Sequence, residues 1–103
     1  MLEPTTPREA VENYIEDIKH ELAATTVANH RYRLEQFIQW SDEAGIDDMN
    51  SITGRKLQEF KTWKQGTVAK VTLKNHLSTL RQLIEFCEDT NTVPTGVGRT
   101  IRL

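Results

Sequence analysis

Residues Thr72–Phe86 read TLKNHLSTLRQLIEF, and Thr26–Trp40 read TVANHRYRLEQFIQW. Set 46 positions apart, the two segments share an opening threonine, an Asn-His pair, a leucine four residues after the histidine, then Gln, Ile and a closing aromatic. Each carries apolar residues at the 3.6-residue period of an α-helix, and in each the Asn lies off the apolar side. The spacing predicts two amphipathic helices with similar polar faces, one surface made twice.

Two copies of such a unit are too few for a solenoid, which needs about three or more. Two helical hairpins closing on each other fit the pattern, so the expected class is all-α, a four-helix bundle. The chain has 103 residues, 37% of them hydrophobic, which suffices for one domain with a core. No apolar run is long enough to span a membrane, and the opening MLEPTTPREAVENYIEDIKHE lacks a basic region followed by an apolar one. A cytoplasmic location is therefore expected. The single cysteine, Cys87, has no partner for a disulfide or a zinc site and is expected to be a small buried filler.

The net charge of −2 hides an uneven distribution. Residues 1–24 set Arg8 and Lys19 against six acids, and residues 42–52 hold four acids and no base. Residues 53–81 set Arg55, Lys56, Lys61, Lys64, Lys70, Lys74 and Arg81 against Glu59 alone, a segment of net +6. Such a segment is either an electrostatic footprint for a polyanion or a set of solvated lysines.

Taken in order, Thr6-Pro7-Arg8-Glu9 combines an N-cap, a proline at the first helical position and the Glu of a capping box. A first helix is expected from Pro7 to about Leu22, with Val11, Tyr14, Ile15, Ile18 and Leu22 inward. The stripe of Val27, Leu34, Phe37 and Ile38 is rotated by about 140° from it, which excludes one continuous rod. A break is expected at Ala23–Thr25, with Thr25 or a neighbour as N-cap, and a second helix to Ala44 closed by Gly45. An acidic connector, Ile46–Ser51, leads to a third helix capped by Thr53 that turns Leu57, Phe60 and Trp63 inward and ends near Gln65-Gly66. The fourth helix is expected over Thr72–Asp89 with Leu73, Leu77, Leu80, Leu83, Ile84 and Cys87 inside. Residues 1–91 form the expected domain, and 92–103, which contain Pro and Gly without helical period, read as a linker.

On a helical projection the second helix turns Thr25, Asn29, Tyr32 and Gln36 outward, with Arg31 and Arg33 on the flanks. The fourth turns out Asn75, Ser78 and Gln82, bordered by Lys74 and Arg81. Asn and Gln can pair bidentately with adenine, Arg with guanine, while Ser, Thr and Lys hold phosphates. A wet helix face would use the same residue types, but charge order favours the first reading. Helices built for stability place acids early and bases late. Here Arg31 and Arg33 come early and Asp42 and Glu43 late; Lys70 and Lys74 come early and Glu85, Glu88 and Asp89 late. Cations gathered at two helix starts suit a phosphate.

His30 and His76 fall at the edge of the apolar stripe and read as packed, hydrogen-bonded rings. No nucleophile is paired with a base, no glycine loop cradles phosphate, and no carboxylate pair has a recognisable spacing, so neither catalysis nor a cofactor or metal is expected of this chain.

The chain resembles the N-terminal core-binding, SAM-like domain of the tyrosine recombinase, or phage integrase, family. TPREAVENYIEDI is similar to the family's first helix and LAATTVANHRYRLEQFIQW to its Thr-led second. SITGRKLQEFKTW is similar to the third helix, VTLKNHLSTLRQLIEFCEDT to the Leu-Ser-x-Leu-Arg fourth, and TNTVPTGVGRTIRL to the stretch leading into a catalytic domain. The resemblance implies a SAM-like four-helix domain gripping one face of double-stranded DNA while a separate C-terminal catalytic domain grips the other. It implies recombinase protomers as further partners, with the second and fourth helices at the major groove. Carried over, the DNA-facing residues are Thr25, Thr26, Asn29, Arg31, Arg33, Lys70, Thr72, Lys74, Asn75, Ser78 and Arg81. The catalytic arginines, lysine and tyrosine of the family belong to the other domain. His30-Arg31-Tyr32-Arg33 matches the family's catalytic His-x-x-Arg only by chance, because it lies inside the DNA-facing helix. The alternative from another class is a helical protein–protein interaction module, which an exposed apolar patch of several hundred Å² would favour.

Overall fold

The computed structural model describes residues 1–103. Four helices carry the fold: α1 (Pro7–Ile18), α2 (Ala24–Glu43), α3 (Gly54–Lys64) and α4 (Lys70–Asp89). Two short 3₁₀ turns follow α2 and α4, at Met49–Ser51 and Gly98–Thr100.

The start of α1 is the expected capping box: the Thr6 hydroxyl accepts from the Glu9 N–H and the Glu9 carboxylate from the Thr6 N–H, each at 3.1 Å. These bonds hold the Glu9 carboxyl below the usual carboxylate range. The end of α1 differs from the expectation. Helix geometry stops at Ile18, whose carbonyl takes both the Glu21 and Leu22 N–H groups in a tight turn, and Leu22 is left 39% exposed instead of entering the core. The chain has to turn early because the next apolar stripe points another way. The cap of α2 is also not a threonine: Ala23, extended at ψ 148°, precedes it without any side-chain cap, and Thr25 lies in the first turn. Likewise α4 starts at Lys70 after an uncapped, extended Ala69, two residues before Thr72.

These two departures are the same departure, because the duplication runs further than the matching letters. Ala23 and Ala69 cap helices of 20 residues each. Gly45 (φ 73°) and Asn91 (φ 60°) close them in the left-handed conformation. The Ile46 N–H then returns to the Ser41 carbonyl at 2.8 Å and the Thr92 N–H to the Cys87 carbonyl at 2.7 Å. Thr53 caps α3 through the Lys56 N–H, as Thr6 caps α1 through that of Glu9. Two hairpins, α1–α2 and α3–α4, thus pack as one bundle. Their equivalent apolar residues, Leu34 and Leu80, Phe37 and Leu83, Ile38 and Ile84, are all buried. The rings of Phe37, Trp40, Phe60 and Trp63 tie α2 to α3 with centroids 5.7 to 6.0 Å apart. Cys87 is the expected buried filler, and burial pushes its thiol up to about 12.

Residues 92–103 have no helical period, but they do not leave the bundle. Val93 and Ile101 are buried and Val97 is partly so. The Glu88 carboxylate accepts from the Gly96 and Gly98 N–H groups, both at 2.8 Å. A Cβ at Gly98 would lie 2.7 Å from Glu88 Oε2, so only glycine allows this approach. The segment that composition marks as a linker is therefore docked as far as Ile101. The N-terminal residues are fixed beside it, with the Glu3 N–H donating to the Asn91 carbonyl and the Met49 N–H to that of Thr5.

Candidate nucleic-acid interface

The N-terminal halves of α2 and α4 hold ten of the eleven residues expected at a DNA surface, with Arg81 just past the middle of α4, and the bundle packs these two helices directly against each other. On α2, Thr25, Thr26, Asn29 and Arg31 are exposed; on α4, Lys70, Lys74 and Asn75 are exposed, with Thr72, Ser78 and Arg81 half-buried. Neither helix has an acid in its first turn or a base in its last, which is the reverse of the order that stabilises the helix dipole.

One side-chain hydrogen bond joins the two helices. Arg33 is half-buried and its Nη1 donates to the Thr79 hydroxyl at 3.1 Å. Thr79 is the residue equivalent to Arg33 in the duplication, so the bond connects matching positions. Arg31, by contrast, turns away toward α1 and pairs with Glu12. Arg8 and Glu35 form a second α1–α2 pair at 3.3 Å.

The histidines are equivalent in sequence and unlike in surroundings. His30 is 7% exposed; its Nδ1 bonds the Tyr14 hydroxyl at 2.9 Å and its ring stacks on that of Tyr14. Burial pushes the Tyr14 phenol up to about 12 and, with help from Arg33, holds the His30 pKa below its ordinary value. His76 is 5% exposed, yet its Nδ1 is enclosed without any hydrogen-bond partner. The expectation of a hydrogen-bonded ring holds for His30 and not for His76. Burial, then Lys64, then Arg33 lower the His76 pKa, so this imidazole is neutral at pH 7.

Two residues at this surface lie outside the eleven expected at DNA. Lys64, at the end of α3, donates to Gln36 Oε1 at 2.6 Å and lies 5.5 Å above the Trp63 ring. Tyr32 is 66% exposed and meets the His76 ring edge-on at 6.4 Å. Tyr32 is outward as its place on the polar face of α2 predicts. Lys64 belongs to the basic segment, but nothing local places it beside α2, because that depends on how the hairpins cross. No group of three or more His, Cys, Asp or Glu converges, and no helix is long and apolar enough to cross a membrane.

An all-α bundle of two hairpins, with cations gathered on two equivalent helices, describes a class of protein for which comparison gives a family. Residues 11–91 match the phage integrase N-terminal SAM-like domain, and the chain belongs to that family. The crystal structure of the N-terminal domain of a phage integrase/site-specific recombinase from Haloarcula marismortui superposes with a TM-score of 0.94. The two sequences are 29% identical over 97% of each chain. No curated protein sequence matches. The chain corresponds to the N-terminal domain alone, and the family's catalytic domain is not covered by it.

Proposed function

We propose that this domain is the DNA-gripping part of a site-specific tyrosine recombinase. It would hold one face of a duplex with α2 and α4 at the major groove, while the parent's own catalytic domain cuts and rejoins strands and further protomers complete the assembly. The observation that carries this reading is the reversed charge order on two helices related by an internal duplication. It costs each helix a few tenths of a kcal/mol, and a phosphate backbone at the helix starts would offset that loss. Lys70, Lys74, Arg81 and the threonines Thr25, Thr26 and Thr72 would fix register on phosphates. Asn29 and Asn75 would meet base edges, with Ser78 and Arg33 on phosphates beside them and Arg31 joining on release from Glu12. Large exposed apolar side chains, Met1, Leu22, Tyr32, Val71 and Leu103, include the two chain ends and do not favour a protein-docking face.

The test is an NMR titration of the labelled domain with a short mixed-sequence duplex at low and at higher salt. Shifts concentrated at Thr25–Arg33 and Lys70–Arg81 that fade steeply with salt are expected. A spectrum that does not move at low salt would overturn the reading.

A further inference from the structure

The ion pairs of the domain engage Arg8, Lys19, His20, Arg31 and Lys56. Arg33 and Lys64 have none, although both are half-buried in a protein with more acids than bases. Each makes one bond to a neutral side chain, Thr79 and Gln36, which leaves four of the five guanidinium N–H donors and two of the three ammonium donors unused. Half-buried cations without a counter-charge are costly to keep. One turn before Thr79 on α4 is the one buried side-chain polar atom of the domain that has no partner, Nδ1 of His76.

That atom decides which nitrogen of His76 carries the proton. An N–H at Nδ1 would be an enclosed donor with no acceptor, whereas a bare lone pair there costs less. Burial and the two cations favour the neutral ring. The hydrogen therefore belongs on Nε2, which forms no bond inside the domain and is not enclosed as Nδ1 is. Tyr32 meets the ring edge-on.

We infer that Arg33, Lys64 and the Nε2–H of neutral His76 form one phosphate-binding site where α2, α3 and α4 meet, its ligand a phosphodiester of duplex DNA. This inference rests on the DNA-binding reading above and adds Lys64 and His76 to it. The site combines two charges with one uncharged donor. The charges release counterions when phosphate arrives; the imidazole contributes a hydrogen bond and no counterion release.

The experiment measures duplex affinity by fluorescence anisotropy across a salt series at pH 7.5, for the full chain and three variants, with the His76 imidazole followed by ¹⁵N NMR. His76→Leu is expected to weaken binding about tenfold with an unchanged salt slope. His76→Gln, whose amide N–H reaches where Nε2–H stood, is expected to stay within about threefold of wild type. Lys64→Gln, at the surface and separate from core folding, is expected to lower the salt slope by about one. In the wild type the Nε2 resonance should move on addition of duplex while that of His30 does not. Wild-type binding with an unmoved His76 resonance, or His76→Gln as weak as His76→Leu, would overturn the site and leave the DNA reading standing. Absence of any wild-type binding would overturn both.

Discussion

The two Asn-His units stand at equivalent positions of one duplicated frame and are connected to different things. The α2 unit faces its own hairpin: His30 is bonded to Tyr14, and Arg31 is neutralised by Glu12. The α4 unit lies at the junction of both hairpins, where Arg33 and Lys64 approach a histidine with an unfilled nitrogen. Backbone geometry was copied down to the left-handed closing residue, while the polar partners were not. Packing and polar wiring are thus separable: the same helix can seal a bundle in one copy and leave donors unspent in the other.

Measurements on matched pairs can break or sharpen this contrast. The largest effect should be the same in both halves. Leu34→Ala and Leu80→Ala, both 1% exposed, should each cost about 2–5 kcal/mol in urea unfolding. A large difference between them would mean that the halves are not packed alike. Next come the rings. Tyr14→Phe keeps the stacking but strips His30 of its partner and should cost about 1–3 kcal/mol. His76→Leu loses no hydrogen bond within the domain and should cost about 1 kcal/mol or less. If the order is reversed, the contrast between the histidines is wrong.

Acid should act on both rings together. Burial lowers each folded-state pKa below the unfolded value of 6.5, so the unfolded chain binds more protons as pH falls. Stability is therefore full above pH 6.5 and declines as pH drops below it toward the two folded-state values. Thermal melts at pH 7.5 and 5.5 check the sign, and a higher Tm at the lower pH would contradict it. On DNA, Asn75→Ala should relax preference at one base pair by about 1–3 kcal/mol, whereas Lys74→Ala weakens all sequences alike. Asn29→Ala shows whether α2 reads bases too. The smallest effect should come from Arg31→Ala, whose exposed pair with Glu12 is worth about 1 kcal/mol or less in unfolding.

Much of the fold could be read from the chain because periodicity and caps are local. The phase change after Ile18, the Thr6 and Thr53 caps and the Gly45 closure all lie within a turn or two of their cause. The break at Ala23–Thr25 is legible, but the exact starts of α2 and α4 are not, because an extended alanine without a side-chain cap leaves no mark in the sequence. The eleven residues expected at DNA do share two packed helices, yet periodicity alone could not tell that Arg31 is spoken for and Arg33 is not. That distinction depends on which hairpin lies opposite. The placement of Lys64 is invisible for the same reason, since its neighbour Gln36 is 28 residues away in sequence.

The grip of Glu88 on the Gly96 and Gly98 amides has a mechanical side. It makes the chain after α4 part of the rigid body, so swivelling of anything attached beyond starts after Ile101 instead of after Asp89. A tether shortened in this way restricts the orientations that a following domain can sample. Slow hydrogen exchange at Gly96 and Gly98, lost in Glu88→Ala, is the expected sign of that stiffness; fast exchange in the wild type would return the pivot to the end of α4.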